Sequence, residues 1–292
     1  MLDAELVTSL IRDQFPAWSG LAVVPVQPGG WDHRTFRLGP ELLVRLPSRA
    51  IYAPQVDKEQ RWLPVLAPRL PLPIPTPVAQ GKPGNGYPWS WSVYRWLEGS
   101  VPSATSAIDL DLGELARELA RFLRALHGID ATLGPRAGEH NFFRGGPVAT
   151  YDAETRDALA ALADRIDVAR ATAIWEAALA SQWQLPNVWV HGDMAASNLL
   201  VRGGRLAAVI DFGSCGVGDP ACDLTIAWTF FAGPARSIFR EALSLDPATW
   251  QRARGWALWK ALIVACGKTG TPEAAADAWR VLDELLTDPL AL

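Results

Sequence analysis

A short cluster of polar residues late in the chain constrains its fold more than any other feature. The segment His191-Gly192-Asp193 is followed five residues later by Asn198, and Asp211-Phe212-Gly213 begins thirteen residues after that asparagine. Short apolar runs flank both pieces and predict strands, while the Gly-Gly turn at 202–205 predicts a hairpin between two of them. That hairpin would bring Asn198 and Asp211 together, on the same loop-rich edge as Asp193.

The chemistry of these side chains favours an active site. An asparagine amide oxygen and an aspartate carboxylate suit Mg²⁺, which takes few protein ligands beside phosphate oxygens. Asp193 then remains a free carboxylate that can orient a hydroxyl or accept its proton. Each residue alone would be interpreted as a polar side chain capping a turn. The whole set, at this spacing and between strands, favours catalysis instead.

Composition limits the classes of partner. With 27 basic and 31 acidic residues, the formal net charge of −4 argues against a nucleic-acid-binding protein. The N-terminus lacks the basic and apolar regions of a signal peptide, and no apolar run approaches the roughly 20 residues that span a bilayer. The three cysteines form no CxxC pair, which indicates a reduced setting. We therefore expect a cytoplasmic protein, monomeric or homodimeric, that binds neither nucleic acid nor membrane.

The order of strand and helix signals predicts an α+β fold with two lobes. After a short N-terminal helix, runs at 21–27, 34–38 and 41–46 predict a three-stranded antiparallel meander, and a fourth strand is expected at 89–97. A helical stretch near 55–67 and a proline-dense segment at 68–77 separate them. From residue 98 the chain is mostly helical, with helices expected at 111–128 and starting at 152, 246 and 271. The predicted lobes are residues 1–97, including a hinge, and 98–292.

Two features of the N-terminal part could bind a nucleotide. The turn Gly29-Gly30-Trp31-Asp32-His33 lets backbone N–H groups approach phosphate oxygens, although a Gly-Gly pair can equally be a plain hairpin turn. Farther on, Glu59 would point inward among apolar residues of its helix, so it needs a cation. Arg45 on the third strand is the first candidate for that cation, and Lys58 is the second.

HGDxxxxN followed by a strand and DFG resembles the catalytic loop and metal-binding segment of the protein-kinase-like fold. The form VHGDMAASNLLV…VIDFGSCGVGDPACDL resembles the aminoglycoside phosphotransferase family. The resemblance spans most of the chain and implies a bilobal kinase-like structure that binds ATP or GTP and Mg²⁺. It implies that Asp193 is the catalytic base, that Asn198 and Asp211 hold the metal, and that His191 supports the loop.

The same resemblance implies roles for the N-terminal residues. Gly30 and Asp32 would lie at the phosphates, and Arg45 with Glu59 would position the nucleotide. In the expected hinge, Tyr94 and Trp96 either flank the purine or pack. Two positions depart from the family pattern, since His33 stands where asparagine is usual and Arg45 stands where the kinase pattern has lysine. Arginine is bulkier and bidentate, so its contacts with phosphates will differ from those of lysine.

The segment after the DFG motif distinguishes a small-molecule kinase from a protein kinase. Protein kinases carry arginine at the position of Gly192, where it pairs with a phosphorylated activation loop. Only four residues separate Gly213 from Gly218, and no A-P-E motif follows, so a long peptide-docking loop has no room. In the segment GDPACDL, Asp219 is expected to cap a helix and Asp223 to tie that helix to the catalytic loop.

We therefore expect transfer of the γ-phosphoryl group of ATP or GTP to a hydroxyl of a small molecule, an aminoglycoside-like or other antibiotic acceptor. The acceptor would lie between the loop 137–146 and the helices after 234, where both carboxylates and tryptophans are available: Glu139, Glu241, Asp283, Glu284, Trp250, Trp256 and Trp259. Two alternatives stay open. One is an inactive, nucleotide-binding regulatory relative, motivated by His33 and Arg45. The other is a metal-dependent phosphohydrolase built on His191, Asp193 and Asp211.

Overall fold

A five-stranded antiparallel sheet forms the N-terminal part of the protein. The computed structural model describes residues 2–27, 29–30, 32–102 and 110–289. The strand order is β1-β2-β3-β5-β4. The strands are β1 (Val23–Pro25), β2 (His33–Leu38), β3 (Leu42–Pro47), β4 (Pro77–Gly81) and β5 (Trp91–Arg95). The antiparallel pairing of the first three strands confirms the predicted meander.

The two faces of this sheet are covered by different helices. Alternate residues of a strand face opposite sides, so Phe36, Val44 and Val93 share one face and pack with the helix α1 (Ala4–Gln14) in a small apolar core. Arg45 and Tyr94 lie on the other face, towards α2 (Pro54–Leu66). The sheet therefore directs a buried arginine away from its apolar core and towards α2.

The boundaries of several elements differ from those expected from sequence. The predicted strand at 21–27 is only three residues long, and that at 89–97 is confined to Trp91–Arg95. The edge strand β4 follows the proline-dense segment and was not predicted, because a strand that opens on Pro77 has little alternating pattern. The helix α2 begins at Pro54 and ends at Leu66, as its pattern indicated.

The C-terminal part is largely helical, and side-chain caps fix where several of its helices begin. Asp111, Asp246 and Thr271 each accept a hydrogen bond from a backbone N–H of the first helical turn. The helices are α3 (Leu112–His127), α4 (Asp152–Ala161), α5 (Val168–Leu179), α6 (Ile226–Thr229), α7 (Gly233–Leu243), α8 (Pro247–Ala265) and α9 (Pro272–Thr287). The helix α8 is buried along most of its length and packs against α4, α5 and α9. No helix in the part of the chain that the structure describes is long and apolar enough to cross a membrane.

Two small antiparallel ribbons carry the polar cluster. The hairpin β7 (Leu199–Arg202) and β8 (Arg205–Val209) turns through Gly203 and Gly204, whose φ angles of 59° and 76° require glycine-like freedom. The other ribbon pairs β6 (Val188–Val190) with β9 (Gly216–Gly218), a strand that was not predicted. Together, the ribbons place the segment after β6 beside the segment after β8.

Candidate active site

The loop that follows β6 is fixed by a buried carboxylate. The backbone N–H groups of His191 and Gly192 donate to the two carboxylate oxygens of Asp223, each at 2.7 Å. Burial raises the pKa of Asp223, whereas His191 and the two backbone donors oppose that rise. Asp223 therefore ties its short helix to the loop, as predicted from sequence.

His191 supports this loop from inside. Its side chain is completely buried, and its ring packs edge-on against Phe212 with 4.7 Å between ring centroids. Nε2 lies 2.9 Å from the carbonyl oxygen of Ile210, and Nδ1 lies 3.2 Å from the backbone nitrogen of Asp193. A carbonyl only accepts and an amide N–H only donates, so these contacts assign the ring proton to Nε2. His191 is thus placed as a positioning residue for Asp193.

Gly192 is required by both conformation and space. Its φ of +85° lies in the left-handed region, and a Cβ at this position would stand 2.2 Å from the carbonyl oxygen of Ser214. The segment after the DFG motif therefore packs directly on the backbone of the loop. Any side chain at position 192 would push these two segments apart.

Asp193, Asn198 and Asp211 converge, as the predicted hairpin requires. Asp193 is exposed, and Asn198 Nδ2 donates to its carbonyl oxygen (2.8 Å) and to its Oδ2 (3.2 Å). The N–H of Ile210 donates to the carbonyl of Asn198 at 2.9 Å, so Asp211 begins where the hairpin ends. Asp211 has a left-handed φ of 65°, and its side chain is 37% exposed.

The oxygen atoms of this group fit a magnesium ion. Asn198 uses Nδ2 to hold Asp193, which leaves its Oδ1 for a cation, and the Asp211 carboxylate is accessible. Among the described residues no set of three or more His, Cys, Asp and Glu side chains could hold a metal. A metal here would therefore rely on Asn198 and Asp211 together with oxygen ligands from a phosphate, a combination that Mg²⁺ favours.

Arg45 is the central residue of a buried ionic network. Its Nη1 lies 3.3 Å from Glu59 Oε1, which is the pair expected from sequence. Its Nη2 lies 2.8 Å from Asp211 Oδ1 and 3.4 Å from His33 Nδ1. The Tyr94 hydroxyl donates to the second carboxylate oxygen of Glu59. One guanidinium thus joins β2, β3, α2 and the metal-binding segment.

The network sets the charge states of its members. Burial acts to raise the pKa of Asp211, but the adjacent Arg45 outweighs it and lowers that pKa to about 2. Burial lowers the pKa of His33 to about 3, with Arg45 adding to the effect, so the ring is a neutral acceptor for Arg45. Burial raises the pKa of Glu59, and Arg45 opposes this by favouring the carboxylate.

The glycine turn brings a carboxylate towards the catalytic loop. Trp31 lies outside the described residues, whereas Gly30 packs so closely that a Cβ would stand 2.9 Å from the carbonyl of His33. Burial raises the pKa of Asp32, and the carboxylates of Asp211 and Asp193 raise it further. Asp32 is therefore close enough to both aspartates of the active site for their charges to affect its pKa.

The hinge residues contact protein side chains. Tyr94 is buried, and its hydroxyl is used by Glu59, so its place is in support of the ionic network rather than against a purine. Trp96 is half-buried beneath the guanidinium of Arg37, which lies 4.3 Å from the ring centroid. Its backbone N–H donates to the carbonyl of Glu41 at 2.7 Å.

Three cations lie in places that the sequence analysis did not predict. Lys58 Nζ lies 3.2 Å from both the carbonyl oxygen and the Nδ1 of His140, so it joins α2 to the loop 137–146 instead of reaching Glu59. Arg144 in that loop stacks on tryptophans of α8, and Lys260 of α8 interacts electrostatically with Asp193. Lys260 could have been singled out from the sequence, because it is the sole charged residue in the apolar run 255–265.

Four of the seven residues proposed for the acceptor are paired or buried elsewhere. Glu284 forms an ion pair with Arg236, and Trp250, Trp256 and Trp259 are buried in the helical core. A cavity of about 280 Å³ lies beside the loop 137–146, where Gly145, Asp219 and Arg252 line it. None of the residues assigned to catalysis or to the nucleotide lines this cavity.

The chain is similar to known phosphotransferases in both sequence and structure. The sequence profile of the phosphotransferase enzyme family matches residues 24–256. No curated protein matches the chain. Among solved structures, the GDP complex of wild-type aminoglycoside 2'-phosphotransferase-IIIa is similar, with 18% identity, a TM-score of 0.71 and coverage of 97% of this chain and 98% of that one.

Two other similar structures extend the range of acceptors. The macrolide 2'-phosphotransferase MphH from Brachybacterium faecium, solved as an apoenzyme, shares 22% identity over 96% of this chain and 98% of its own, with a TM-score of 0.62. A ternary complex of streptomycin, ATP and aminoglycoside phosphotransferase (2")-IIa shares 18% identity over 97% of both chains, with a TM-score of 0.65. At these identities the likeness establishes the fold, and it confirms the expected protein-kinase-like architecture.

Proposed function

The chain belongs to the phosphotransferase enzyme family, and from this premise we propose that it transfers the γ-phosphoryl group of ATP or GTP to a hydroxyl of a small molecule. The reaction would depend on Mg²⁺. The nucleotide would lie between the N-terminal sheet and the helical part, which we take as the lobes 1–97 and 98–292. Aminoglycosides and macrolides, the acceptors named for the similar structures, are the first candidates to test.

One observation carries this proposal. The exposed carboxylate of Asp193 is held by Asn198, beside Asp211, at the point where Arg45 links that aspartate to Glu59. A hydroxyl-activating carboxylate, an oxygen pair for a cation and a buried cation–carboxylate pair on the sheet are the parts that phosphoryl transfer requires. Turn capping explains none of the contacts between them.

The proposed roles follow from the contacts. Asp193 would accept a hydrogen bond from the acceptor hydroxyl, align its oxygen with the phosphorus, and take its proton as the new P–O bond forms. Asn198 holds the Asp193 carboxylate by Nδ2, and His191 holds its backbone. Asn198 Oδ1 and Asp211 would hold Mg²⁺, which neutralises phosphate charge when bound. The N–H groups of Gly29 and Gly30 would face the phosphates, beside Asp32.

Arg45 would act mainly on protein groups. Its side chain is 8% exposed and already contacts Glu59, Asp211 and His33. It therefore positions the metal-binding carboxylate and α2, whereas a lysine at this place would offer a single point charge. The contact between Arg45 and Asp211 is also what favours the second candidate function, a nucleotide-binding relative without catalytic activity. A phosphohydrolase based on His191 is disfavoured because that ring is buried with both nitrogens in use.

The experiment is nucleoside-diphosphate release from MgATP and MgGTP, without acceptor and with a panel of aminoglycosides, macrolides and hydroxylated metabolites. Asp193→Asn should lower turnover by roughly 10²- to 10⁴-fold, because a positioned base contributes about that factor. Its nucleotide dissociation constant should not change. Asp164→Asn, an exposed change in the helical part, is the matched control. If the wild type binds nucleotide but transfers the phosphoryl group to no acceptor, not even to water, the protein is the inactive relative.

A further inference from the structure

The cavity beside the β6–β9 ribbon shares no residue with the catalytic loop. It measures about 280 Å³ and is bordered by the segment 145–149, by the end of α5 with the chain that follows it, by β9 and by α8. Asp193, Asn198 and Asp211 are absent from its lining. Small-molecule sites begin at about 300 Å³, so this cavity has room for a compact molecule only.

Much of the cavity wall is apolar. Val148, Ala178 and Val217 line the cavity, and all three are buried. Trp183 lines it as well, and its ring nitrogen donates to the carbonyl oxygen of Pro186 at 3.1 Å. Because that nitrogen is in use, Trp183 offers a ligand apolar ring surface rather than a hydrogen-bond donor. An apolar group that leaves water to contact these walls therefore supplies a driving force for binding.

Two buried charges in the wall neutralise each other. Arg252 Nε lies 2.6 Å from Asp219 Oδ2, and Arg252 Nη2 lies 3.3 Å from Asp219 Oδ1. The same guanidinium donates to the hydroxyl of Thr249 at 3.0 Å and to that of Ser181 at 2.9 Å. Burial raises the pKa of Asp219, and Arg252 opposes that rise by favouring the carboxylate. This pair therefore forms a fixed part of the wall and adds no net charge to the cavity.

Arg136 is the third charged residue among the described residues that line the cavity, and it lies at one boundary. With Asn187 and Val217, it also lines a neighbouring cavity of about 350 Å³. Its backbone is fixed there, because its carbonyl oxygen lies 2.8 Å from His140 Nε2. The guanidinium of Arg136 and the amide group of Asn187 have no hydrogen bond or ion pair with the part of the chain that the structure describes. The lining therefore has one positive charge without a counter-charge.

We propose that this cavity binds a small carboxylate with an aromatic or branched apolar body, at a site separate from those of the nucleotide and the acceptor. The carboxylate would lie at the boundary, where Arg136 can bind both of its oxygens and Asn187 can donate from Nδ2. The apolar body would contact Val148, Ala178 and Trp183. A ligand with one negative charge cancels the net charge of the lining. This binding goes beyond the proposed function and requires no phosphoryl transfer.

The charges around the two cavities decide which ligand fits. An amine in the smaller cavity would need a carboxylate, but Asp219 is already bound to Arg252. A neutral alcohol would contact the apolar walls and leave Arg136 without a counter-charge. An anion in the neighbouring cavity would meet the carboxylate of Asp130, which is part of that lining. A carboxylate in the smaller cavity is therefore the ligand that matches the lining.

The test uses three compounds that share one apolar body and differ in charge: 3-phenylpropionate, 3-phenylpropanol and 3-phenylpropylamine. Calorimetric titration into the full chain measures their affinities. The carboxylate should bind with a dissociation constant below about 1 mM, and at least about tenfold more tightly than the alcohol, because a hydrogen bond to a charged group contributes that much. The amine should bind more weakly than the alcohol. A saturating MgATP analogue and the Asp193→Asn change should both leave the affinity for the carboxylate unchanged.

Variants and hydrogen exchange then locate the ligand. Arg136→Met should reduce the affinity for 3-phenylpropionate about tenfold and leave the affinity for 3-phenylpropanol unchanged. Arg202→Met is the matched control, because Arg202 is also an exposed arginine and lines neither cavity. Hydrogen exchange followed by mass spectrometry should show greater amide protection in the segments 145–149 and 181–187 when 3-phenylpropionate is bound.

Several results would overturn the inference. Failure of 3-phenylpropionate to bind, its displacement by the MgATP analogue, or protection at 191–198 in place of 145–149 and 181–187 would show that the cavity is not its site. Equal affinities for the carboxylate and the alcohol, or a wild-type affinity of Arg136→Met for the carboxylate, would show that Arg136 does not select an anion. Turnover is measured separately, so an inactive protein that binds the carboxylate contradicts only the proposed function, and an active protein that does not bind it contradicts only this inference.

Discussion

Arg45 Nη2 lies 2.8 Å from Asp211 Oδ1, joining the third strand of the sheet to the segment after β8 across 166 positions of sequence. The same guanidinium reaches Glu59 on α2 through Nη1. A single side chain therefore fixes α2 and the metal-binding carboxylate relative to each other. The two parts of the protein meet through this ionic contact as well as through apolar packing.

Arg45→Met should destabilise the protein strongly. It leaves Glu59, which is 1% exposed, without its cation, and removing one partner of a buried pair costs about 3–5 kcal/mol. Arg45→Lys should cost less, because it restores the charge but cannot contact both carboxylates in the same way. Urea unfolding at pH 7.5 measures both. The double variant Arg45→Met, Glu59→Gln should recover part of the loss, and an Arg45→Met protein within about 0.5 kcal/mol of wild type would contradict the network's importance.

The protein should become less stable as the pH falls, because His33 is neutral in the folded state. Its folded pKa of about 3 lies below the usual value of 6.5, so only the unfolded chain takes up the proton as the pH falls below 6.5. The associated stability is fully present above pH 6.5 and is lost as pH falls towards 3. Between pH 7.5 and 5.5, the wild type should lose about 1.4 kcal/mol more than His33→Asn, the value of one pKa unit.

Denaturant unfolding of both proteins at the two pH values measures this difference. His127, whose pKa burial lowers to about 4, contributes a slope of the same sign to both and cancels. His33→Asn keeps an acceptor for Arg45, so the comparison isolates the titration from the loss of a contact. Parallel pH profiles for the two proteins would show that folding does not lower the pKa of His33.

The position of Gly192 can be tested against a matched glycine. Gly192→Ala and Gly203→Ala both place a side chain at positive φ, at a cost of about 1–2 kcal/mol. A Cβ at 203 meets no atom within 4 Å, whereas one at 192 stands 2.2 Å from the Ser214 carbonyl oxygen. Gly192→Ala should therefore be the more destabilising and should reduce turnover at least about tenfold, because Asp193 moves with it. Thermal unfolding and initial rates provide both readouts, and equal effects of the two changes would contradict the packing argument.

Local patterns predicted much of the fold, and the failures have physical causes. The hairpin that joins Asn198 to Asp211 followed from a Gly-Gly turn between apolar runs, and the Arg45–Glu59 pair followed from a carboxylate on the apolar face of a helix. In contrast, β4 and β9 are short and begin at proline or glycine, so they have no alternating pattern to detect. Their pairing is set by neighbouring strands.

Contacts between distant segments could not be predicted from the sequence, for a different reason. The approach of Arg45 to Asp211 depends on how the sheet packs on the helical part, which no local pattern encodes. Lys58 was considered only as a second cation for Glu59, because its sequence neighbours gave no indication that the loop 137–146 would cover it. Side chains whose partners lie far away in sequence require the packed structure to be identified.

Lys58 supplies a last prediction, that α2 and the loop 137–146 are coupled. Its side chain is 9% exposed, and its ammonium contacts only His140 among the hydrogen-bond partners found in the described residues. A hydrogen bond to a charged group contributes about 1.5–3 kcal/mol, so Lys58→Met should lower amide protection in this loop by roughly tenfold or more. Hydrogen exchange followed by mass spectrometry measures it.

The coupling has a specific signature in double variants. His140→Phe removes the ring acceptor, so combining it with Lys58→Met should produce less than the sum of the two effects, as expected for residues in contact. Lys82→Met, an exposed change on the N-terminal sheet side, should leave protection of the loop unchanged. Full additivity, together with unchanged protection at 137–146, would show that α2 and this loop are not coupled.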